Sequence, residues 1–172
     1  METRLTTCTL RPWRRGDEEA LAKHANNRNV WLNLRDLFPH PYTRADAKAW
    51  IRSNVGADPV QNFAIDVDGE AVGSVGIAPQ TDVARRSAEI GYWLGEAFWG
   101  RGIMTEAVRA ATEHGFRAFD LVRMHAAVFA SNPSSMRVLE KCGYAREGWL
   151  RQSVWKDGQL LDSALYAKLR GD

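Results

Sequence analysis

Along residues 103–119 the apolar positions Met104, Ala107, Val108, Ala111 and Gly115 recur at spacings of three and four, a period that predicts an amphipathic helix. Three further helices are expected. Residues 43–55 open with Thr43 as N-cap and Asp46 three positions on. Residues 17–27 open with a capping Asp17 and an acidic first turn. Residues 134–142 read as a short helix stopped by Gly143 at a position that favours a left-handed backbone. β-rich runs fill residues 7–13, 61–67, 70–78, 86–94, 122–129, 145–155 and 159–168. Asp68-Gly69 and Asp157-Gly158 each separate two of these runs, the signature of a hairpin with a type I′ turn. Residues 30–43, rich in aromatic and turn residues, read as irregular.

Strands with helices inserted between them indicate an α/β (α+β) sheet protein. No repeat, low-complexity stretch or linker divides the 172 residues, so one domain over 1–172 is expected. Strand 86–94, helix 103–119 and strand 122–129 have the length of a right-handed crossover joining two parallel strands. Ligands tend to bind beyond the carboxyl ends of such strands.

Composition narrows the class. The chain is 45% apolar and 26% charged, with a net charge of +2, which fits a globular protein and is too small to argue for nucleic acid. Cys8 and Cys142 are far apart, and the histidines at 24, 40, 114 and 125 are scattered, so no metal-ligand spacing is present. The opening residues METRLTTCTLRPW contain no apolar signal core, and no run reaches membrane-spanning length. Cytoplasm is the expected compartment.

The candidate chemistry lies at the mouth of helix 103–119. Gly100-Arg101-Gly102 precedes Ile103-Met104-Thr105-Glu106. Glycines there permit positive φ and close approach of a ligand to the backbone. The first helical turn leaves N–H groups unpaired at the positive end of the dipole, an anion site suited to a pyrophosphate. Arg101 adds a charged donor at the rim. A tight turn without a ligand reads the same way. The dinucleotide and P-loop patterns are both absent, since Thr105 stands where the first needs glycine and no Gly-Lys-Ser/Thr follows.

The residues from Ala88 to Leu94 (AEIGYWL), followed by WGRGIMTEA from Trp99 to Ala107, resemble the acetyl-CoA motif of the GNAT superfamily, most closely the branch of the Rim-type ribosomal-protein alanine N-acetyltransferases. Three other segments are similar to that branch and fall in its order: Leu10-Arg11-Pro12-Trp13 with Asp17; Phe38-Pro39-His40-Pro41-Tyr42-Thr43; and Asn132-Pro133-Ser134-Ser135 with Val138 to Tyr144. One departure is Ala97, where the superfamily usually carries Gln or Arg. The resemblance implies a single mixed sheet of about seven strands, splayed between the fourth and fifth, flanked by about four helices. It implies acetyl-CoA as cofactor, with the pantetheine arm paired to backbone near Trp93 and Leu94 as an added strand would be. It also implies an amine acceptor, either a protein N-terminus or a small molecule. A homodimer stays open, and neither nucleic acid nor a membrane is expected as partner.

Moving an acetyl group from a thioester to an amine requires deprotonation of the amine and stabilisation of the developing oxyanion and departing thiolate, with no metal. By resemblance, Glu89 is the candidate base; a structural carboxylate paired with Arg85, Arg86 or a neighbouring strand is the alternative. The related ribosomal-protein enzymes use a glutamate on the strand after Gly143, a position that spacing equates with Val154, so that role does not carry over. Ser135 is the candidate acid, or else a helix cap. The expected cofactor contacts are Trp93, Leu94, Trp99, Gly100, Arg101, Gly102, Ile103, Met104, Thr105, Asn132, Ser135 and Lys141. Asn132 would bond the pantetheine, or only form the turn before Pro133. Trp31, Leu34, Phe38, Tyr92 and Trp155, together with Trp149, are expected around the acceptor, although seven tryptophans in this length also suit a core. Tyr144 reads as core, and Asp162 with Tyr166 as a structural pair. A non-catalytic acyl-CoA-binding or regulatory module, and transfer of another acyl group such as succinyl, are the competing functions.

Overall fold

In the computed structural model, which describes residues 2–172, the strands are β1 (Thr3–Arg4), β2 (Thr9–Pro12), β3 (Asn62–Val67), β4 (Glu70–Pro79), β5 (Ser87–Leu94), β6 (Arg123–Phe129), β7 (Ala145–Lys156) and β8 (Gln159–Leu169). The helices are α1 (Glu18–Ala25), α2 (Arg28–Trp31), α3 (Arg44–Asn54), α4 (Ile103–Ala118) and α5 (Pro133–Lys141). All eight strands join one sheet in the order β1-β2-β3-β4-β5-β6-β8-β7. The one strand and the one α-helix beyond expectation are short. β1 is two residues long, and α2 is a single turn opened by Asn27, whose side chain accepts from Asn29 N and Val30 N. Neither is long enough to display a hydrophobic period.

Local chemistry explains the rest. Both Asp-Gly turns have positive φ at both residues: Asp68 54° and Gly69 89°, Asp157 51° and Gly158 76°, as type I′ requires. α3 starts with a reciprocal capping box, in which Asp46 N donates to Thr43 Oγ1 and Thr43 N to Asp46 Oδ2. α1 starts after Asp17 as expected, but not because that side chain caps it. The Asp17 carboxylate accepts instead from Arg14 N at 3.0 Å and from both terminal nitrogens of Arg11, at 2.8 and 2.9 Å. Arg11 is 1% exposed and also donates from Nε to Asp66 at 2.7 Å. A buried guanidinium takes priority over a cap because an unpaired buried charge costs more than a lost cap.

Helices cover both faces. α4 and α5 pack on one, around Ile77, Ala88, Ile90, Ala107, Val108, Ala111, Met124 and Leu139. α1 and α3 pack on the other with Trp13, Tyr42, Ala64 and Ala71. α4 lies close to the sheet at Gly115, where a Cβ would stand 3.0 Å from Met124 Sδ and 3.1 Å from Ile77 Cδ1. Tyr144 is core, with its hydroxyl 2.8 Å from Thr112 Oγ1. Asp162 and Tyr166 do not pair: Asp162 accepts from Trp149 Nε1 and Gln152 N, while Tyr166 donates to Glu140. Among the described residues, no helix is long and apolar enough to cross a membrane.

The feature that positions the site is the contact between β5 and β6. It is the one parallel pairing among the described residues, and it lasts three residues, Ser87–Glu89 against Arg123–His125. Beyond it β5 stays with β4 as far as Leu94, and β6 stays with β8 as far as Phe129. The sheet therefore opens into a V with Glu89 and His125 at its apex.

Candidate active site

Strand alternation decides which main-chain groups line the V. On β5, Arg86 O accepts from Val122 N on the β6 side, whereas Gly95 N donates to Val72 O on the β4 side. Even-numbered residues of β5 therefore turn their main chain toward the opening, and Trp93 turns its own toward β4. Tyr92 and Leu94 are the residues beyond the apex that face the V. Leu94 O is already taken by Trp99 Nε1 at 2.7 Å, which leaves its N–H. On β6, Arg170 N donates to Val122 O and Ala130 N to Asp162 O, so even residues serve β8 and Ala127 and Phe129 face the opening. Two strands present free polar groups across a gap, an arrangement that accepts an extended ligand as a strand would be accepted.

The β5 arm of the V leads to the start of α4. Gly102 is its N-cap with φ 80°, no side chain caps the helix, and the first helical bond runs from Glu106 N to Gly102 O. The N–H groups of Ile103, Met104 and Thr105 precede that bond and point outward at the positive end of the dipole. Gly100 also has positive φ, and a Cβ on either glycine would meet nothing within 4 Å. The space beside both glycines is therefore open. Arg101 is turned back: its guanidinium donates to Ala97 O at 2.8 Å and lies 5.2 Å from the Phe98 ring centroid.

The β6 arm leads to α5. Asn132 is the N-cap, its Oδ1 accepting from Ser135 N at 3.1 Å, and Pro133 fills the first turn. Ser135 is thus not the cap. Its hydroxyl lies 2.8 Å from Tyr92 Oη. Tyr92 sits with Ala88 and Ile90 on the α4 and α5 face of β5, apart from the other residues expected around the acceptor. Lys141 is at the far end of α5, where Arg109 donates to its carbonyl.

The opposite face of β5 carries Glu89 and Trp93. Glu89 pairs with Arg35, from the segment after α2. Arg85 and Arg86 are engaged elsewhere, with Asp82 O and Asp120. Phe38 packs on Tyr42 and Trp93, with centroids 4.8 and 5.7 Å apart. Trp31 stacks on His40 at 5.6 Å and receives Lys156 Nζ 3.5 Å from its centroid. Lys156 also pairs with Asp36 at 2.7 Å, and its side chain is 2% exposed. Leu34 is half-buried and Trp155 is 65% exposed. Val154 follows a break in the β7–β8 register and pairs with Leu161. The nearby carboxylate on that hairpin, Asp162, is held below the usual range by the Gln152 N–H and then by Trp149, which makes it a poor base.

Residues 7–145 match the model of the acetyltransferase (GNAT) domain. The chain belongs to the GNAT family. Among its relatives, the Bacillus subtilis protein named probable N-acetyltransferase YjcK is 41% identical over 99 residues, 55% of each chain. Spermidine N(1)-acetyltransferase of Escherichia coli K12 is 26% identical over 151 residues, 87% of this chain and 79% of that one. The structure of Mycobacterium smegmatis RimJ in complex with CoA-disulfide superposes with a TM-score of 0.82 at 29% identity, covering 94% of this chain and 81% of that one. The chain spans about half the length of the first curated relatives it matches.

Several features of this GNAT site were not read from the sequence. The even-numbered alternation of β5 carries a signal for Tyr92, because Ala88, Ile90 and Tyr92 share a face. Ala127 follows likewise from alternation on β6. Arg35 and the Lys156–Asp36–Trp31 cluster had none, since both bring together segments distant in sequence.

Proposed function

We propose that this chain is an N-acetyltransferase that moves the acetyl group of acetyl-CoA to a primary amine by direct attack in a ternary complex. The observation that carries this reading is the V between β5 and β6, which joins an uncapped helix N-terminus to the Tyr92–Ser135 pair by a run of unpaired main-chain groups. In this assignment the N–H groups of Ile103, Met104 and Thr105, behind Gly100 and Gly102, hold the pyrophosphate. Leu94 N–H, Tyr92 and Ala127 pair with the pantetheine amides. Bound there, acetyl-CoA supplies a thioester carbonyl open to attack. Glu89, at the apex on the opposite face, takes the amine's proton directly or through water, while Arg35 fixes the direction of its carboxylate. Ser135 donates a hydrogen bond toward the sulfur. The Trp31, Leu34 and Phe38 segment and the β7–β8 hairpin border the acceptor's approach, tied to each other by Lys156–Asp36 and by Arg28–Asp157 at 2.6 Å.

The test is release of free thiol from acetyl-CoA against a panel of peptide N-termini and polyamines, with succinyl-CoA as a second donor. Turnover on an amine supports the reading. Tight CoA binding without turnover on any amine replaces it with an acyl-CoA-binding module, and faster turnover with succinyl-CoA changes the acyl group.

A further inference from the structure

Tyr92 Oη lies 2.8 Å from Ser135 Oγ and 3.2 Å from Ser135 O. This link spans the V, from the stretch of β5 that β6 has left to the first turn of α5. Ser135 Oγ has no other partner among the described residues, and capping is done by Asn132. The serine hydroxyl therefore has one proton and a choice of two directions. In one arrangement Ser135 donates to Tyr92 and Tyr92 donates to Ser135 O. In the other Tyr92 donates to Ser135 Oγ, and the serine proton is turned toward the opening. The two differ only by rotation of hydroxyl hydrogens, which is fast and needs no movement of heavy atoms.

We propose that Tyr92 is a positioning residue that acts through Ser135: its phenol O–H donates to Ser135 Oγ, so that the serine proton is presented to the sulfur of the departing coenzyme. The inference rests on the acetyltransferase reading above. As the amine nitrogen bonds the acetyl carbon, the C–S bond breaks and its electron pair goes to sulfur, while the amine's proton leaves on the Glu89 side. The hydroxyl pair supplies hydrogen bonds and surrenders no proton. Burial pushes the Tyr92 phenol well above its ordinary value, against a smaller opposing pull from the bond to Ser135. An ordinary thiol ionises at about pH 8.5, so a thiolate is too weak a base to take a proton from either hydroxyl. It does accept a charge-assisted hydrogen bond, which two donors in series strengthen.

The experiment titrates CoA bound to the protein by its ultraviolet thiolate absorbance, in the wild type, Tyr92→Phe, Ser135→Ala and the double variant. The bound thiol is expected to ionise about tenfold more readily than free CoA in the wild type. Tyr92→Phe should remove most of that gain, and the double variant should match Ser135→Ala. In turnover, Tyr92→Phe should lower kcat roughly ten- to hundredfold, the range for a hydrogen bond to a charged group, with KM for acetyl-CoA unchanged. That loss should vanish in the Ser135→Ala background. An unshifted bound thiol in every protein, or equal losses from Tyr92→Phe with and without Ser135, would overturn the relay. Phenylalanine keeps the half-buried ring, and a thermal melt identifies a variant that has merely unfolded. Failure of the wild type to bind CoA would instead overturn the cofactor reading, and the relay with it.

Discussion

A carboxylate can act as base only if it reaches the proton, and Glu89 stands where the two parallel strands part. Replacing it by glutamine should lower kcat roughly 10²–10⁴-fold with little change in CoA affinity, as read by steady-state kinetics across pH. An unaltered pH–rate profile would leave Glu89 as the anchor of Arg35 alone. Arg11 is a structural charge. Arg11→Met would strand Asp17 and Asp66 in a buried site and should cost about 3–5 kcal/mol, seen as a fall in the urea midpoint. His114 is a third case. Its ring lies edge-on to Phe63 at 5.0 Å and its Nε2 is 3.0 Å from Val60 O. Burial pushes its imidazole below the ordinary value more than the bond to Val60 O pulls it up. The unfolded chain binds this proton near pH 6.5 and the folded chain resists it. Stability from this residue is therefore present above about pH 6.5 and is lost as pH falls through the lower folded value. Urea midpoints between about pH 7 and 5.5 should fall less in His114→Gln than in the wild type.

At the scale of elements, the turn before α4 separates folding from binding. Gly100 and Gly102 are left-handed with open space where a Cβ would go. Valine at either position costs the fold about 1–2 kcal/mol for the backbone alone, but places a branched side chain where the proposed pyrophosphate site lies. Titration calorimetry should show CoA affinity lost while the melt still shows a folded protein; retained affinity would mean the anion site is elsewhere. At α3 the capping box is plain stability, and Thr43→Ala should cost about 1 kcal/mol. These elements were legible because their signals are local: a 3.6-residue period, an Asp-Gly pair, a Thr three residues before Asp. α2 was not legible, because four residues carry no period, and Asp17 was misjudged as a cap because its partner Arg11 lies on another element.

On the scale of the molecule, the opening is a property of the sheet rather than of any residue. If an extended ligand occupies it, hydrogen exchange at Tyr92, Leu94 and Ala127 should slow when CoA is added, whereas amides already paired between β4 and β5 should change little. Uniform slowing across the sheet would point to general stabilisation by binding elsewhere. The same scale decides which strand of the last hairpin lies inside. β8 buries Ser163, Ala164, Tyr166 and Ala167 against β6, while β7 is largely exposed at the edge.

By itself the sequence determined the elements with regular periods, both type I′ turns, the parallel crossover and the glycine turn before α4, because each depends on residues a few positions apart. It also carried the family, through motifs in a fixed order. Tertiary structure alone decided that β5 and β6 stay together for only three residues, that Glu89 is held by Arg35, and that Tyr92 reaches Ser135 on the face opposite Glu89 and Trp93. Those outcomes depend on contacts between segments distant in sequence, and no local pattern of residues records them.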